Sequence, residues 1–361
     1  MARYRRVQII FGVVLPFLLL LLLFYCYYLQ RRLRLRQRSK RREALESGVF
    51  GGELEGEKED EELIAFSGGE NLTVGAILEA PGEVVGKSSY ATLYRASVQR
   101  TGSVMLLRFV RPACVGRSKE ILPAIRILGS IRHPNLVPLR ALYVGPRGEK
   151  LFVHPFYAAG SLARFLRDGV AESHRWEIIC KLSLGIAKGI DHLHTALQKP
   201  IVHGNLKANN ILLDADFQPR LSDFGMHLLL NPTAGQELLE TSAAQGYKAP
   251  ELIKMKDASR ESDIYSLGVV LLEMLTQKEP MSGGNLLQSQ DLHVPTSFRD
   301  LILEQKISNA FSSELIKQSK DSAKEEGLLM FFQLAMACCS PSPALRPDIK
   351  SILQRLEEIV H

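Results

Sequence analysis

The distribution of apolar and polar positions divides the chain into three regions. Residues 9–29 contain no Asp, Glu, Lys, Arg or His, residues 30–71 are mostly polar, and apolar blocks return from about residue 72. As a helix that rises about 1.5 Å per residue, residues 9–29 span the roughly 30 Å hydrocarbon layer of a bilayer. This run is longer than the apolar part of a usual signal peptide, and no small-residue cleavage pattern follows it. A retained transmembrane helix is therefore favoured over a cleaved signal peptide.

The third region contains two kinds of apolar pattern. Short blocks that favour strands come first, at residues 84–98, 104–110, 136–144 and 151–157. Helical spacing follows, on one face at Ile179, Leu182, Ile186, Ile190 and Leu193, and nearly all round at residues 264–275. We therefore predict an α+β domain with a strand-rich first part and a helical second part built around a buried helix.

The positive net charge of +6 is concentrated near the N-terminus. Residues 1–42 hold 11 of the 45 Lys and Arg residues and no Asp or Glu, so the remainder carries 34 basic and 39 acidic residues. A nucleic-acid-binding domain would need a basic face on its folded part, and this one is mildly acidic. The basic run Arg31–Arg42 predicts a cytoplasmic orientation and contact with anionic lipid.

These features give the predicted domain boundaries. Residues 1–8 form a short extracytoplasmic N-terminus, 9–29 the transmembrane helix and 30–71 a basic juxtamembrane run with an acidic linker. Because residues 51–63 are acidic, contain glycine and have little to bury, we expect a flexible tether there. The folded domain is predicted at residues 72–361.

Six short motifs follow one another in this domain. They are HPNLVPLRALY (133–143), AAGSLARFL (158–166), SDFG (222–225), GYKAPEL (246–252), SDIYSLGVVLLEML (262–275) and SPSPALRPDI (340–349). In this order they resemble a protein kinase domain of the plant receptor-like type. The resemblance implies a bilobal fold, with a small β-rich N-lobe at about 72–156, a larger helical C-lobe at about 157–361 and a nucleotide cleft between them. It also implies a place in the plasma membrane.

The catalytic loop HGNLKANN (203–210) departs from the H-R-D-L-K-x-x-N pattern of the family. Asn205 stands at the position of the base, and a carboxamide has no useful basicity, whereas a positioned base typically contributes about 10²- to 10⁴-fold. Gly204 stands at the position of the arginine. Lys207 and Asn210 remain at the phosphate-neutralising and metal-binding positions.

The phosphate clamp is also degenerate. Only Gly86 remains of the family's glycine-rich loop, and the side chains that replace the other glycines hinder close approach of the backbone. Alignment of residues 104–109 with the family pattern places Leu107 at the position of the strand lysine. Alternation along a strand then predicts that Arg108 faces away from the cleft. Ala124 stands at the position of the partner glutamate, with Glu120 as the alternative carboxylate.

Other family positions keep the expected residue. The resemblance implies that His203 and Phe224 join the lobes, that Glu251 pairs with Arg346, and that Asp263 holds the catalytic-loop backbone. It also makes Asp223, with Asn210, the pair that would hold weakly bound ATP and Mg²⁺. No cofactor is predicted with certainty.

The leading hypothesis is a membrane-anchored receptor-like pseudokinase that binds active receptor kinases or other membrane signalling proteins. In that setting Thr233, Thr241 and Ser242 are phosphorylation candidates for such a partner, with ordinary loop hydroxyls as the alternative. Two other hypotheses stay open at this point. One is an atypical active Ser/Thr kinase with its lysine moved to Lys87, and the other is a membrane adaptor that binds lipid through Arg31–Arg42.

Overall fold

The computed structural model describes residues 61–98, 102–168, 173, 175–253, 257–280, 315 and 322–360. They belong to one compact unit, Lys58–His361. Within these ranges, no helix has the length and hydropathy needed to cross a membrane, and the predicted anchor at residues 9–29 lies outside them. The basic run Arg31–Arg42 also lies outside the described residues.

A six-stranded antiparallel sheet forms the N-lobe. Its strands are β1 (Glu62–Ala65), β2 (Gly82–Lys87), β3 (Ala91–Val98), β4 (Ser103–Val110), β5 (Ala141–Val144) and β6 (Lys150–Pro155), in the spatial order β1-β5-β6-β4-β3-β2. Two helices accompany it, α1 (Val74–Leu78) and α2 (Ser118–Ser130). The strand-rich first part of the domain is therefore present as predicted.

Strand β1 lies within the segment that was predicted to be a linker. Residues Glu62–Ala65 pair with β5, and the following Phe66 donates its backbone N–H to the carbonyl of Arg140 at 2.8 Å. The Phe66 ring contacts Gly129 of α2, where a Cβ atom would lie 2.1 Å from the ring. The N-lobe thus begins about ten residues before the predicted boundary at 72. A four-residue strand is too short for its alternation to be recognised in the sequence.

The C-lobe is helical, as predicted. Its helices are α3 (Leu162–Arg167), α4 (Trp176–Asp191), α5 (Pro232–Ala244), α6 (Arg260–Thr276), α7 (Ser322–Cys338) and α8 (Ile349–Val360), with a π-helical turn at His192–Ala196 and a hairpin of β7 (Ile211–Leu213) and β8 (Pro219–Leu221). Helix α6 is buried along most of its length, because its apolar residues occur on every side. It is the central helix that residues 264–275 predicted.

Two buried polar clusters fix the C-lobe around α6. The Asp263 carboxylate accepts hydrogen bonds from His194 Nε2 (2.9 Å) and from the backbone N–H groups of His203 (2.7 Å) and Gly204 (2.9 Å). Arg346 donates two hydrogen bonds to Glu251, at 2.6 and 2.7 Å. Asp263 thus holds the backbone of the catalytic loop from α6, and Arg346 holds Glu251.

A third buried contact joins α6 to the segment after α5. The Tyr247 hydroxyl donates to the Glu273 carboxyl at 2.5 Å, and both side chains are buried. Burial raises the pKa of Glu273 to about 7, although the Tyr247 hydrogen bond opposes the increase. Glu273 is therefore largely protonated in the folded protein below pH 7 and charged above it.

We predict that Glu273→Gln stabilises the protein at alkaline pH. An unfolded glutamate loses its proton near pH 4.3, whereas folded Glu273 keeps it until about pH 7. The wild-type free energy of unfolding should therefore fall as pH rises from about 4.5 to 7, by roughly 3 kcal/mol relative to the variant. Urea denaturation between pH 4 and 8 measures this difference. Glu325→Gln, at an exposed site on α7, is the control, and parallel wild-type and Glu273→Gln profiles would contradict the prediction.

Candidate active site at the interlobe cleft

The cleft face of β4 carries Arg108 and Leu106. Strand β4 pairs with β3 and β6 in an uninterrupted register, so neighbouring side chains alternate between the two faces. Leu107 lies on the other face, in an apolar cluster with Met105, Val153 and others. The predicted placement of Leu107 in the cleft was therefore wrong by one residue. Arg108 occupies the cleft without any register shift in the strand. The alignment with the family pattern started one position too early, so it assigned the lysine position to Leu107 and not to Arg108.

Arg108 forms a buried ion pair with Asp223. The guanidinium Nη2 donates to Asp223 Oδ1, and the two side chains are only 6% and 9% exposed. The second carboxylate oxygen, Oδ2, accepts from the hydroxyl of Tyr90 at 3.2 Å. Both oxygens of Asp223 are thus engaged by side chains of the N-lobe. This three-residue cluster, Tyr90, Arg108 and Asp223, is called the cleft lock below.

The cleft lock stabilises the charged forms of its ionic members. Burial alone would raise the pKa of Asp223, but the charge and hydrogen bond of Arg108 outweigh it, so the pKa of this carboxyl lies below its ordinary value. Burial raises the pKa of Tyr90, and the negative charge of Asp223 raises it further. Tyr90 therefore stays a neutral hydrogen-bond donor. Nearby, burial and the charge of Arg108 lower the pKa of His154 to about 4, so its imidazole is neutral.

Tyr90 reaches Asp223 because the loop between β2 and β3 folds inward. The Ser88 hydroxyl accepts from the N–H of Ala91 at 3.1 Å, which closes a tight turn. The carbonyl of Tyr90 accepts from the backbone N–H of Arg111 at 2.9 Å. Tyr90 is consequently only 5% exposed, although it lies at a loop tip. Gly86 stands earlier in this hairpin, opposite Leu93, and Lys87 is exposed.

A cavity of about 40 Å³ lies behind the cleft lock. It is lined mainly by apolar side chains, among them Leu106, Val137, Phe152 and Leu212, together with Arg108 and Asp223. Pockets that bind drug-sized ligands measure about 300–1,000 Å³. This cavity is roughly a tenth of the lower bound of that range.

Helix α2 provides no carboxylate that pairs with Arg108, whereas in protein kinases a glutamate of this helix pairs with the strand lysine. Ala124 lies on this helix and packs against the apolar core. Glu120 is turned to solvent, where its carboxylate binds the backbone N–H and the side chain of Arg117 at 3.1 and 2.9 Å. Neither residue pairs with Arg108, whose carboxylate partner is Asp223.

The catalytic loop is covered by helix α5. Asn205 is buried, and its Oδ1 accepts from the Ser242 hydroxyl at 3.0 Å. Lys207 Nζ donates to Gln245 Oε1 at 3.0 Å. Burial lowers the pKa of Lys207, while the charge of Asp223 opposes the decrease. The side chains at the base and phosphate-neutralising positions thus bind side chains of α5 and of Gln245, the residue that follows it.

Gly204 has no room for the arginine of the family pattern. Its φ is 74°, in the left-handed region that favours glycine, and an added Cβ would lie 2.6 Å from His227 Nδ1. His203 and Phe224 contact each other edge to face, with ring centroids 6.4 Å apart.

The Asp223 carboxylate, which was predicted to bind Mg²⁺, does not fit that task in this arrangement, because Arg108 and Tyr90 engage its two oxygens. The amide nitrogen of Asn210 donates to the carbonyl of Asn205 at 2.9 Å, which orients the side chain but does not oppose metal binding through its oxygen. A positive guanidinium stands where a divalent cation would need free carboxylate oxygens. No step of phosphoryl transfer is therefore assigned to this site.

The three phosphorylation candidates differ in exposure. Thr233 and Thr241 are exposed on α5. Ser242 is 6% exposed and its hydroxyl binds Asn205, so it is inaccessible to a kinase in this conformation. The sequence analysis also missed Tyr90 and Gln245. The period of four in the buried residues Ala234, Leu238 and Ser242 is the signal that would have placed Ser242 inside.

Comparison with known proteins agrees with the fold. A family model described as Protein kinase domain matches residues 80–356. The chain is 40% identical over 336 residues to the kinase-like protein TMKL1 of Arabidopsis thaliana, with 92% of this chain and 49% of that protein covered. It is 32% identical over 309 residues to an inactive leucine-rich repeat receptor-like serine/threonine-protein kinase of the same plant, with 84% and 48% covered. The chain spans about half the length of the curated relatives it matches.

Two solved structures share the fold. The kinase domain of maize SIRK1 bound to AMP-PNP superimposes with a TM-score of 0.70 and 26% identity, covering 83% of this chain and 100% of that one. The pseudokinase domain of BIR2, an immune regulator of the RLK/Pelle family, gives 0.62 and 27%, covering 76% and 80%. The same fold thus occurs with a bound nucleotide analogue and in a pseudokinase. Whether a domain of this fold is a kinase or a pseudokinase therefore depends on the side chains in its cleft and not on the fold.

We predict that Arg108→Met destabilises the protein strongly. The substitution leaves the Asp223 carboxylate buried without its cation, which typically costs roughly 3–5 kcal/mol. Urea denaturation of the full-length chain measures the loss. The double variant Arg108→Met/Asp223→Asn should recover most of it, because no unpaired charge remains.

An exposed pair on the same sheet provides the matched control. Arg95 binds Glu83 at 2.8 Å, with the two side chains 48% and 64% exposed. Arg95→Met should cost less than about 1 kcal/mol, as is usual for surface pairs. Equal losses for Arg95→Met and Arg108→Met would show that the buried pair has no special weight.

Proposed function

Because this chain belongs to the protein kinase family, as a plant receptor-like member, we propose that it is a membrane-anchored pseudokinase. In this proposal it acts as a scaffold or allosteric partner of active receptor kinases and transfers little or no phosphate. Residues 9–29 anchor it in the plasma membrane, and the kinase-like domain lies in the cytoplasm. ATP and Mg²⁺ are not required for the activity.

The observation that carries this proposal is the occupation of Asp223. Phosphoryl transfer in protein kinases needs the metal-binding aspartate to hold Mg²⁺ and the strand cation to pair with a glutamate. Here the strand cation, Arg108, pairs with the aspartate itself, and Tyr90 takes the other oxygen. Asn205 at the base position adds a second, independent obstacle, because a carboxamide accepts no proton at neutral pH.

The relatives support a role in receptor-kinase signalling. One is named an inactive receptor-like kinase, and BIR2 is described as a pseudokinase and an immune regulator. By analogy, we propose that this chain regulates receptor kinases through contacts between kinase-like domains. A shared membrane would raise the effective concentration of both partners, so weak contacts suffice.

We predict that the full-length chain transfers no phosphate. Incubation with Mg²⁺, γ-labelled ATP and a generic protein substrate should give no more label than the Asp223→Ala variant. Titration with a fluorescent ATP analogue should show no saturable binding up to 1 mM, a concentration chosen at the top of the usual KM range of roughly 1 μM to 1 mM. Label transfer that Asp223→Ala abolishes would overturn the pseudokinase proposal and support the atypical-kinase alternative.

The scaffold role has its own test. The full-length chain and an active plant receptor kinase are reconstituted together in lipid vesicles, and phosphorylation of that kinase is followed. Vesicles with the kinase alone are the control. Changed phosphorylation together with detergent-resistant co-purification is the expected result. If no member of a panel of receptor kinases shows changed phosphorylation or co-purifies with the chain, the scaffold role is excluded. That result leaves the prediction that the chain transfers no phosphate unaffected.

A further inference from the structure

A serine with a free hydroxyl lies where the chain enters the N-lobe. Ser67 follows β1 and is exposed, and its hydroxyl makes no hydrogen bond to any residue that the structure describes. The residue before it, Phe66, packs on Gly129 of α2, and Leu72 is buried in the apolar cluster of the sheet. Ser67 precedes residues 80–356, which match the family model, so no motif of the kinase pattern includes it. It therefore lies in the segment that holds the entry of the domain against the N-lobe.

Two guanidinium groups converge on the backbone of Ser67. Arg132 Nη2 and Arg140 Nη1 both donate to the Ser67 carbonyl, at 3.0 and 2.6 Å. Neither arginine forms an ion pair with a carboxylate of the residues described. Burial lowers the pKa of Arg132, and the positive charge of Arg140 lowers it further. Two like charges that share one carbonyl oxygen and have no counter-ion favour the arrival of an anion.

The two arginines differ in the donors that they leave free. Arg132 donates through both Nη atoms to four backbone carbonyls, those of Ser67, Gly129, Ile131 and Leu139. Its Nε is buried, so this side chain contributes a fixed positive charge and no accessible donor. Arg140 uses one N–H group on Ser67, and the rest of its five donors have no partner in the described part of the chain. Arg140 is therefore the side chain that can bind an anion.

The residues after Ser67 are suited to this approach. Gly68 has a φ of 80°, and a Cβ atom on it would collide with the guanidinium of Arg140. Glu70 turns back, and its carboxylate accepts the N–H of Gly68 at 2.9 Å. Backbone N–H groups lower the pKa of Glu70, and the charges of Arg140 and Arg132 lower it further. Because this single carboxylate stands against two guanidinium groups, one positive charge is left for a second anion.

We propose that Ser67 is a phosphorylation site whose phosphate binds Arg140 beside the fixed charge of Arg132. A Ser/Thr protein kinase transfers the γ-phosphoryl group of ATP to Ser67 Oγ; the bond from that phosphorus to ADP breaks, and the hydroxyl proton leaves to the kinase. The product carries about −1.5 to −2 charges at pH 7 and three acceptor oxygens, which the arginine fork binds in bidentate fashion. The phosphate fastens the entry segment to the N-lobe. This inference does not rest on the proposed function, because this chain is only the acceptor.

The test places a phosphate at position 67 and then removes its ligand. The full-length chain with genetically encoded phosphoserine at position 67 is compared with the unmodified chain in detergent micelles, by hydrogen exchange and mass spectrometry. Peptides that cover residues 62–72 report on the segment, because the N–H of Phe66 binds the carbonyl of Arg140. The same pair of measurements is made in Arg140→Gln. Arg95→Gln is the matched control, because Arg95 is an exposed arginine of the same sheet that binds Glu83.

The expected result is about tenfold slower exchange at residues 62–72 when the phosphate is present, which corresponds to one charge-assisted hydrogen bond. The slowing should vanish in Arg140→Gln and persist in Arg95→Gln. Arg140→Lys, a milder variant that keeps the charge but not the planar fork, should retain part of it. Unchanged exchange in the wild-type background would overturn the proposal, and so would equal slowing in Arg140→Gln.

The modification itself is tested by phosphopeptide mapping. The full-length chain is expressed in plant cells and purified, and peptides that contain residue 67 are sequenced by mass spectrometry. Phosphate on Ser67 is the expected result, and Ser67→Ala, in which the corresponding peptide carries none, is the control. A map that covers residue 67 and finds it unmodified would contradict the proposal even where the encoded phosphate binds Arg140.

Discussion

The buried ion pair between Arg108 and Asp223 is the contact on which the closed cleft depends. Two charges removed from water are stable only when they neutralise each other and their remaining hydrogen-bonding atoms find partners. Asp223 meets this requirement with Arg108 on one oxygen and Tyr90 on the other. A protein kinase distributes its charges differently, because the strand cation pairs with a glutamate on the helix and the aspartate pairs with Mg²⁺. Direct pairing of cation and aspartate makes both the glutamate and the metal unnecessary. Ala124 is then no defect, because a glutamate there would add a negative charge to a site that is already neutral.

The apolar pattern predicted the strand-rich first part and the central helix, and the order of the motifs implied the bilobal fold by resemblance. The roles of Asp263, Glu251 and Arg346 came only from that resemblance, because no spacing in the sequence indicates which residues they contact. The register of β4 was predictable in principle, since Leu106 and Arg108 alternate with Met105, Leu107 and Phe109. The error arose because residues 104–109 were aligned by residue identity and not by the alternation of side chains between the two faces of the strand. The hydrogen-bond partners of Tyr90 and Ser242 were beyond the sequence, because these contacts join residues 133 and 37 positions apart, although helical spacing could have indicated that Ser242 is buried. Such contacts depend on the conformation of the loop between β2 and β3 and on the helix formed by Pro232–Ala244.

The residues that survive in the cleft region have structural partners. Asp263 holds the backbone of His203 and Gly204, Asn210 holds the carbonyl of Asn205, and Lys207 holds Gln245. Each of these contacts orders the catalytic loop without any nucleotide. Retention of Lys207 and Asn210 is thus compatible with the proposed loss of phosphoryl transfer, and their presence in a sequence is weak support for enzymatic activity. The residues that have no second use in the fold, the base and the glycines over the phosphates, are the ones that have been replaced.

The obstacles to activity are physically independent, which makes restoration by a single substitution unrealistic. A carboxylate at position 205 would still lie beneath Ser242, and an arginine at position 204 would collide with His227. Removal of Tyr90 would free one oxygen of Asp223 but leave the guanidinium on the other. Removal of Arg108 would leave the aspartate charged and buried, at a cost that is a large fraction of the stability of a typical domain. The energetics of the ion pair therefore favour a cleft that stays closed.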